Sequence, residues 1–221
     1  MYQRPLRFNL LPDVIKNLLI INGLFFLATI VVGSTFGIDL GQILGLYMPG
    51  SPSFEPYQLI THMFMHGNFS HIFFNMFALW MFGYTLENVW GSKRFLIYYL
   101  VTGLGAAFIH LGVNYIEAIG LKSQLMDMGY TAQQLQEYVD KGVYFESWPQ
   151  ALKQYTLKYG IPTVGASGAV FGVLLAFGMM FPNMYIYVYF AIPIKAKYFV
   201  AIYGALELFS GIQNDPDSNV A

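Results

Sequence analysis

Ser167, His71 and Asn75 are the residues of this sequence whose types and positions could do chemistry together. A serine hydroxyl becomes a nucleophile when a base removes its proton. The negative charge that then develops on a carbonyl oxygen is stabilised by donors fixed around it. His71-Ile72-Phe73-Phe74-Asn75 places two such donors four residues apart, on one face of a helix and one turn from each other. Both would lie in the first turns of their helix, near the positive end of its dipole. Ser167 stands in Gly165-Ala166-Ser167-Gly168-Ala169-Val170-Phe171-Gly172, where small neighbours would let a substrate backbone approach.

Each group also has a bland reading. His and Asn bridge neighbouring helices by hydrogen bonds in many membrane proteins, and Gly168-x-x-x-Gly172 is a pattern of close helix packing. His62, His66 and His71 cluster enough to raise a zinc site, but the spacing is not His-Glu-x-x-His and no acidic ligand is adjacent. The nucleophile elbow of soluble hydrolases does not fit, because Ala169 stands where its last glycine belongs and no strand precedes Ser167. His110 reads as a packing or interfacial residue. Glu207, in the last apolar stretch, could be functional or could simply reach the interface.

The elements that must position these residues are membrane helices. Of 221 residues, 56% are hydrophobic and only 10% charged, against about 25% charged in soluble domains. Eleven basic residues balance twelve acidic ones, which excludes electrostatic nucleic-acid binding, and the apolar content excludes disorder. Without cysteine there is no disulfide, thiolate metal site or cysteine nucleophile. Charge-free stretches cover Asn17–Ile38, Pro56–Leu86, Phe95–Ile116 and Tyr159–Ile194, and Tyr198–Asn214 is interrupted only by Glu207. A span needs about 20 apolar residues, so these stretches predict an all-α membrane protein with five visible transmembrane helices. The first is too long for a signal peptide and lacks a clear cleavage site.

Lys and Arg placement gives the orientation. With the N-terminus cytoplasmic, Arg4, Arg7, Lys16, Lys93, Arg94, Lys195 and Lys197 fall inside, and Lys122, Lys141, Lys153 and Lys158 lie in one long outer segment. The second span is expected to begin at Ser70 as its cap and to end near Asn88. Gly120–Gly160 is expected to be a largely polar outer segment with two short helices. Thr131 and Ser147 would cap them, and Gly142 and Gly160 would stop them. Trp148, Leu152, Tyr155 and Leu157 could lay the second of these helices in the membrane interface. With no repeat or linker, residues 1–221 form a single domain. The second and fourth spans both start outside, so His71, Asn75 and Ser167 share one depth in the outer part of the bilayer. Shared depth turns a lone serine into a nucleophile beside part of an oxyanion hole.

Taken together, His62, His66, His71-x-x-x-Asn75, Glu87-Asn88-Val89-Trp90-Gly91-Ser92, Gly165-Ala166-Ser167-Gly168 and the Ile192–Lys197 turn resemble the rhomboid family of intramembrane serine proteases. The resemblance runs from about Asn17 to the end of the chain. It implies a six-helix bundle with Ser167 as nucleophile. His71, Asn75 and the backbone N–H of Ser167 would form the oxyanion hole. Gly165 and Gly168 would support the site, and Phe171 would lie beneath the catalytic histidine. The Trp-Arg pair of the family's first outer loop is not evident, and the segment at about 120–160 looks like an insertion.

The family's general base is a histidine on a sixth helix. This sequence ends at Ala221, just after Asn214-Asp215-Pro216-Asp217, and none of its four histidines holds the equivalent place. The chain as written is expected to lack that helix and to be nearly inactive. Loss of the histidine from a Ser–His pair costs on the order of 10⁶ in turnover in a soluble serine protease. The intact protein is expected to hydrolyse peptide bonds in or near transmembrane segments of other proteins through a serine acyl-enzyme. No cofactor, metal or nucleic acid is implied; the partners are membrane-protein substrates and the bilayer, in a bacterial inner membrane. Alternatives are a pseudoprotease that binds membrane clients without cutting them, and a transporter or channel, which lacks support from inverted repeats.

Overall fold

The computed structural model describes residues 9–143, 145–188 and 192–212. Arg4, Arg7, the Glu207 side chain and the segment Asn214–Asp217, all singled out above, lie outside the described residues. The charge-free stretches become helices α1 (Asp13–Phe36), α4 (Phe69–Trp90), α5 (Ser92–Asp127), α8 (Ser167–Met180) and α9 (Ala196–Ile212). Short helices α2 (Leu40–Leu44) and α3 (Gln58–Thr61) and a 3-10 turn (His62–Phe64) fill the first connection. Helices α6 (Ala132–Lys141) and α7 (Gln150–Gly160) fill the third. By length and composition, α1 and α5 are each apolar enough to cross a membrane among the described residues.

Helix α8 is the middle of the bundle, packed mainly on α4 and α5 and also on α9. Its buried Ala169, Val173 and Phe177 join Leu79 and Phe82 of α4, Phe95 and Tyr99 of α5 and Val200 of α9 in the main core. Only 14 of the 36 residues in the Tyr159–Ile194 stretch belong to α8. At about 1.5 Å per residue, α8 is about 21 Å long. It therefore falls short of the roughly 30 Å hydrocarbon core.

Several ends differ from expectation. Asn68, not Ser70, caps α4: its Oδ1 accepts from the His71 backbone N–H at 2.8 Å, and Ser70 is already inside the helix. Asn ranks among the best caps, and here it takes the extended conformation a cap requires. Helix α5 runs on to Asp127, so the segment at 120–160 begins as helix, not loop. The apolar series Ala118, Leu121, Leu125 keeps helical spacing past Gly120; an interior glycine costs only about 1 kcal/mol, and that face is repaid by packing. With 36 residues, α5 is about 54 Å long, and its far end projects well beyond one membrane thickness.

On that projecting end sit α6 and α7. Thr131 and Gln134 form a capping box at the start of α6, and Gly142 ends it in the left-handed conformation, as expected. Helix α7 starts after Pro149 rather than at Ser147, because the residue before a proline is pushed out of the helical region. The interfacial reading of α7 is corrected too. Leu152 and Tyr155 are buried against Leu125, Leu135 and Val139 in a second core, and Trp148 stacks near Tyr138 with ring centroids 4.8 Å apart. The apolar face of α7 covers α6 and the end of α5 instead of lipid.

The turn before α9 is a β-hairpin. Strands β1 (Tyr185–Val188) and β2 (Ile192–Lys195) pair antiparallel, with Tyr185 opposite Lys195 and Val188 opposite Ile192. β-Branched and aromatic residues on both sides of the connection favour this pairing.

Candidate active site

Helix α8 opens at Ser167, with Ala166 as its cap residue. The first backbone N–H groups of a helix have no partner within it, so the N–H of Ser167 is available and sits at the positive end of the α8 dipole. The Ser167 hydroxyl oxygen is buried and has no hydrogen-bond partner among the described residues.

The chain reaches Ser167 through a strap, Pro162–Gly165, that the first connection holds in place. Thr163 exchanges two backbone hydrogen bonds with Leu46, each 2.8 Å, in an isolated antiparallel bridge. The Gly165 N–H donates to the His62 carbonyl at 2.9 Å. Behind this pair stands Gln58, buried, whose side-chain oxygen accepts from the backbones of Tyr47 and Glu55. Its nitrogen donates to the carbonyls of Ile43 and Ser53. Composition and periodicity did not single out Gln58 or Thr163; the only signal for Gln58 was an amide in an apolar stretch.

Gly165 is where the site converges. Its φ of +134° is a conformation open to glycine and strained for other residues. A Cβ there would lie 2.8 Å from His71 Nε2 and 3.3 Å from Ser167 Oγ. The imidazole of α4 and the hydroxyl of α8 thus border the same small space, which the glycine leaves open. Asn75 is buried one turn further along α4. His66, also buried, meets His71 edge to face, with ring centroids 5.1 Å apart.

The other sequence candidates have different surroundings. Gly168 and Gly172 face α5, where a Cβ would come within 2.5 Å of Ala106 Cβ and 2.6 Å of Thr102 Cβ. The Tyr98 hydroxyl donates to the Gly172 carbonyl at 2.8 Å. The G-x-x-x-G pattern therefore serves close packing. Phe171 turns toward α9, its ring stacked on Tyr203 with centroids 6.0 Å apart. His110 is more than a packing residue: its Nε2 lies 2.8 Å from both the Thr163 hydroxyl and the Asn114 side-chain nitrogen. The i, i+4, i+7 spacing of His110, Asn114 and Glu117 could have signalled this polar face of α5. Among the described residues, no group of three His, Cys, Asp or Glu is placed to hold a metal ion.

A family model described as the Rhomboid domain matches residues 53–221, from the first connection through every helix that builds this site. The chain belongs to the rhomboid family. The family includes intramembrane serine proteases, and the all-α bundle agrees with it. Among curated proteins, this rhomboid is 33% identical over 92 residues to "Rhomboid-like protein 11, chloroplastic" of Arabidopsis thaliana, covering 40% of this chain and 32% of that protein. It is 27% identical over 143 residues to "Rhomboid protein 1, mitochondrial" of Saccharomyces cerevisiae, covering 65% and 30%. It is 40% identical over 50 residues to "Rhomboid protease GluP" of Bacillus subtilis, covering 23% and 10%. The matches span about a third or less of the length of these relatives.

Proposed function

We propose that this rhomboid is an intramembrane serine endopeptidase that cleaves peptide bonds in or near transmembrane segments of membrane proteins. The observation that carries the reading is the space at Gly165, bordered by both His71 Nε2 and Ser167 Oγ. A carbonyl entering there meets the hydroxyl on one side and the imidazole on the other. Attack forms the Oγ–carbon bond while a base takes the hydroxyl proton. The oxyanion is held by the Ser167 N–H, His71 and Asn75. Collapse expels the amine, which takes the proton from the base, and water then hydrolyses the acyl-enzyme. Gly165 leaves the room this requires, and Gly168 and Phe171 fix α8 against its neighbours.

Ser167 Oγ bonds none of the four histidines among the described residues. No cofactor takes part. The substrates are membrane proteins presented by the bilayer. The Lys and Arg distribution supports an N-terminus on the cytoplasmic side of the membrane, which reporter fusions to either terminus would test. Residues 1–221 act as one domain, with the segment at about 120–160 inserted on the site side.

A fluorophosphonate probe on the protein in detergent tests the chemistry. We expect labelling that vanishes in Ser167→Ala. Labelling that survives Ser167→Ala would put the nucleophile elsewhere. A folded protein that never labels would favour client binding without cleavage.

A further inference from the structure

We propose that Lys158, Asn114 and His110 form a positioning relay through which the helical segment after α5 holds the strap that carries Gly165 and Ser167. The inference rests on the protease reading for its effect on rate, but its geometry stands alone.

The relay begins on α7. Lys158 Nζ donates to Asn114 Oδ1 at 2.9 Å and pairs with the Glu117 carboxylate, one turn further along α5. An ammonium group can only donate, so Asn114 must turn its oxygen toward Lys158 and its NH₂ toward His110. That NH₂ lies 2.8 Å from His110 Nε2. Facing a donor, Nε2 must carry the lone pair, which places the imidazole proton on Nδ1. The Thr163 hydroxyl, 2.8 Å from the same nitrogen, is then a second donor that shares this single lone pair with the Asn114 NH₂. One surface cation thus dictates an amide orientation, a tautomer and a hydroxyl rotor in sequence.

The relay's far end matters because of where Thr163 stands. Two residues later comes Gly165, whose open space both His71 and Ser167 border, and the strap is otherwise held by backbone bonds to Leu46 and His62. Among the described residues, the Thr163 hydroxyl supplies the strap's side-chain hydrogen bond. Lys158 side-chain exposure is only 19%, so the chain of bonds is partly shielded and each link is stronger than at an open surface. Among the described residues, His110, Asn114 and Thr163 make no hydrogen bond to the Ser167 hydroxyl or the His71 ring; they act through the strap, as positioning residues.

Lys158→Met keeps the aliphatic stem and removes the donor, and Lys158→Arg restores a cation. Lys158→Met is expected to slow fluorophosphonate labelling of Ser167 between about tenfold and a hundredfold, the scale of a small misplacement of a reacting group. Lys158→Arg should recover most of the rate. Hydrogen exchange read on the same protein should quicken at the Thr163 and Gly165 amides in Lys158→Met, with the amides of α4 and α8 unchanged. Thr163→Val leaves α6 and α7 intact and should produce the same change at the strap. Unchanged strap exchange in both variants would overturn the relay, whatever the labelling does. Exchange that rises equally throughout α4, α5 and α8 would also overturn it, because that is the signature of general destabilisation. Should the wild-type protein fail to label at all, the protease reading falls and the exchange result still decides the relay.

Discussion

The carboxylate of Glu87, near the end of α4, accepts the backbone N–H of Ile15 in α1 at 2.9 Å. Its second oxygen accepts from Val14 at 3.0 Å and from the Ser92 hydroxyl at 2.6 Å. Pro12 opens α1 without a side-chain cap, so the cap comes from another helix. Negative charge at a helix N-terminus is favourable, and Glu87 is buried with all three donors aimed at it. Hydrogen bonds to charged groups contribute about 1.5–3 kcal/mol each. Glu87→Gln should therefore lower stability by about 1–3 kcal/mol, and Glu87→Ala by more, since it leaves the buried Ile15 amide and the part-buried Val14 amide unpaired. Thermal unfolding in detergent measures both; a melting temperature unchanged in Glu87→Ala would show that the cap does not hold α1 to α4.

His71→Ala and Asn75→Ala should each reduce turnover by about 10²–10³-fold, the loss seen when one oxyanion donor is removed. The half-buried His71 should do so with little loss of stability. Comparing single-turnover cleavage of a membrane substrate with thermal unfolding separates the roles. Parallel losses of rate and stability would instead assign both side chains to helix bridging.

Gly165→Ala places a methyl 2.8 Å from His71 Nε2 and 3.3 Å from Ser167 Oγ, in a backbone conformation alanine rarely adopts. The methyl would fill the space assigned to the substrate carbonyl. We expect labelling of Ser167 to fall at least as far as in His71→Ala, because the substitution displaces the donor and blocks the carbonyl at once. Full labelling of a folded Gly165→Ala protein would show that substrate enters from another direction.

The core elements were legible because membrane helices announce themselves. Absence of charge over 22 residues or more marked α1 and α5 directly, and polar residues inside such stretches pointed to His71, Asn75 and Ser167. What the sequence hid is tertiary. Nothing local in Glu87 shows that it caps a helix more than 70 residues away. The strap needs Leu46, His62 and Gln58 from a separate connection before Gly165 acquires its conformation. Helix α5 outran its charge-free stretch because packing by α6 and α7 covers its far end, so low hydropathy there no longer meant loop. The hairpin before α9 was obscured in the same way, a short apolar run whose pairing depends on its return strand.

Gly168 offers a test that separates packing from chemistry, since it adjoins Ser167 in sequence yet faces α5. A Cβ at Gly168 would come within 2.5 Å of Ala106 Cβ but 3.9 Å from Ala106 Cα. Overpacking of a close helix contact costs about 1–3 kcal/mol. Gly168→Ala should therefore lower the melting temperature and, by tilting α8 away from α5, slow the labelling of Ser167. Ala106→Gly removes the atom in the way and opens the contact to an ordinary van der Waals distance. The double substitution should recover most of the stability and most of the labelling together. Recovery of stability without labelling would mean that Gly168 also serves the reacting centre, through the space beside the Ser167 N–H and not through α5.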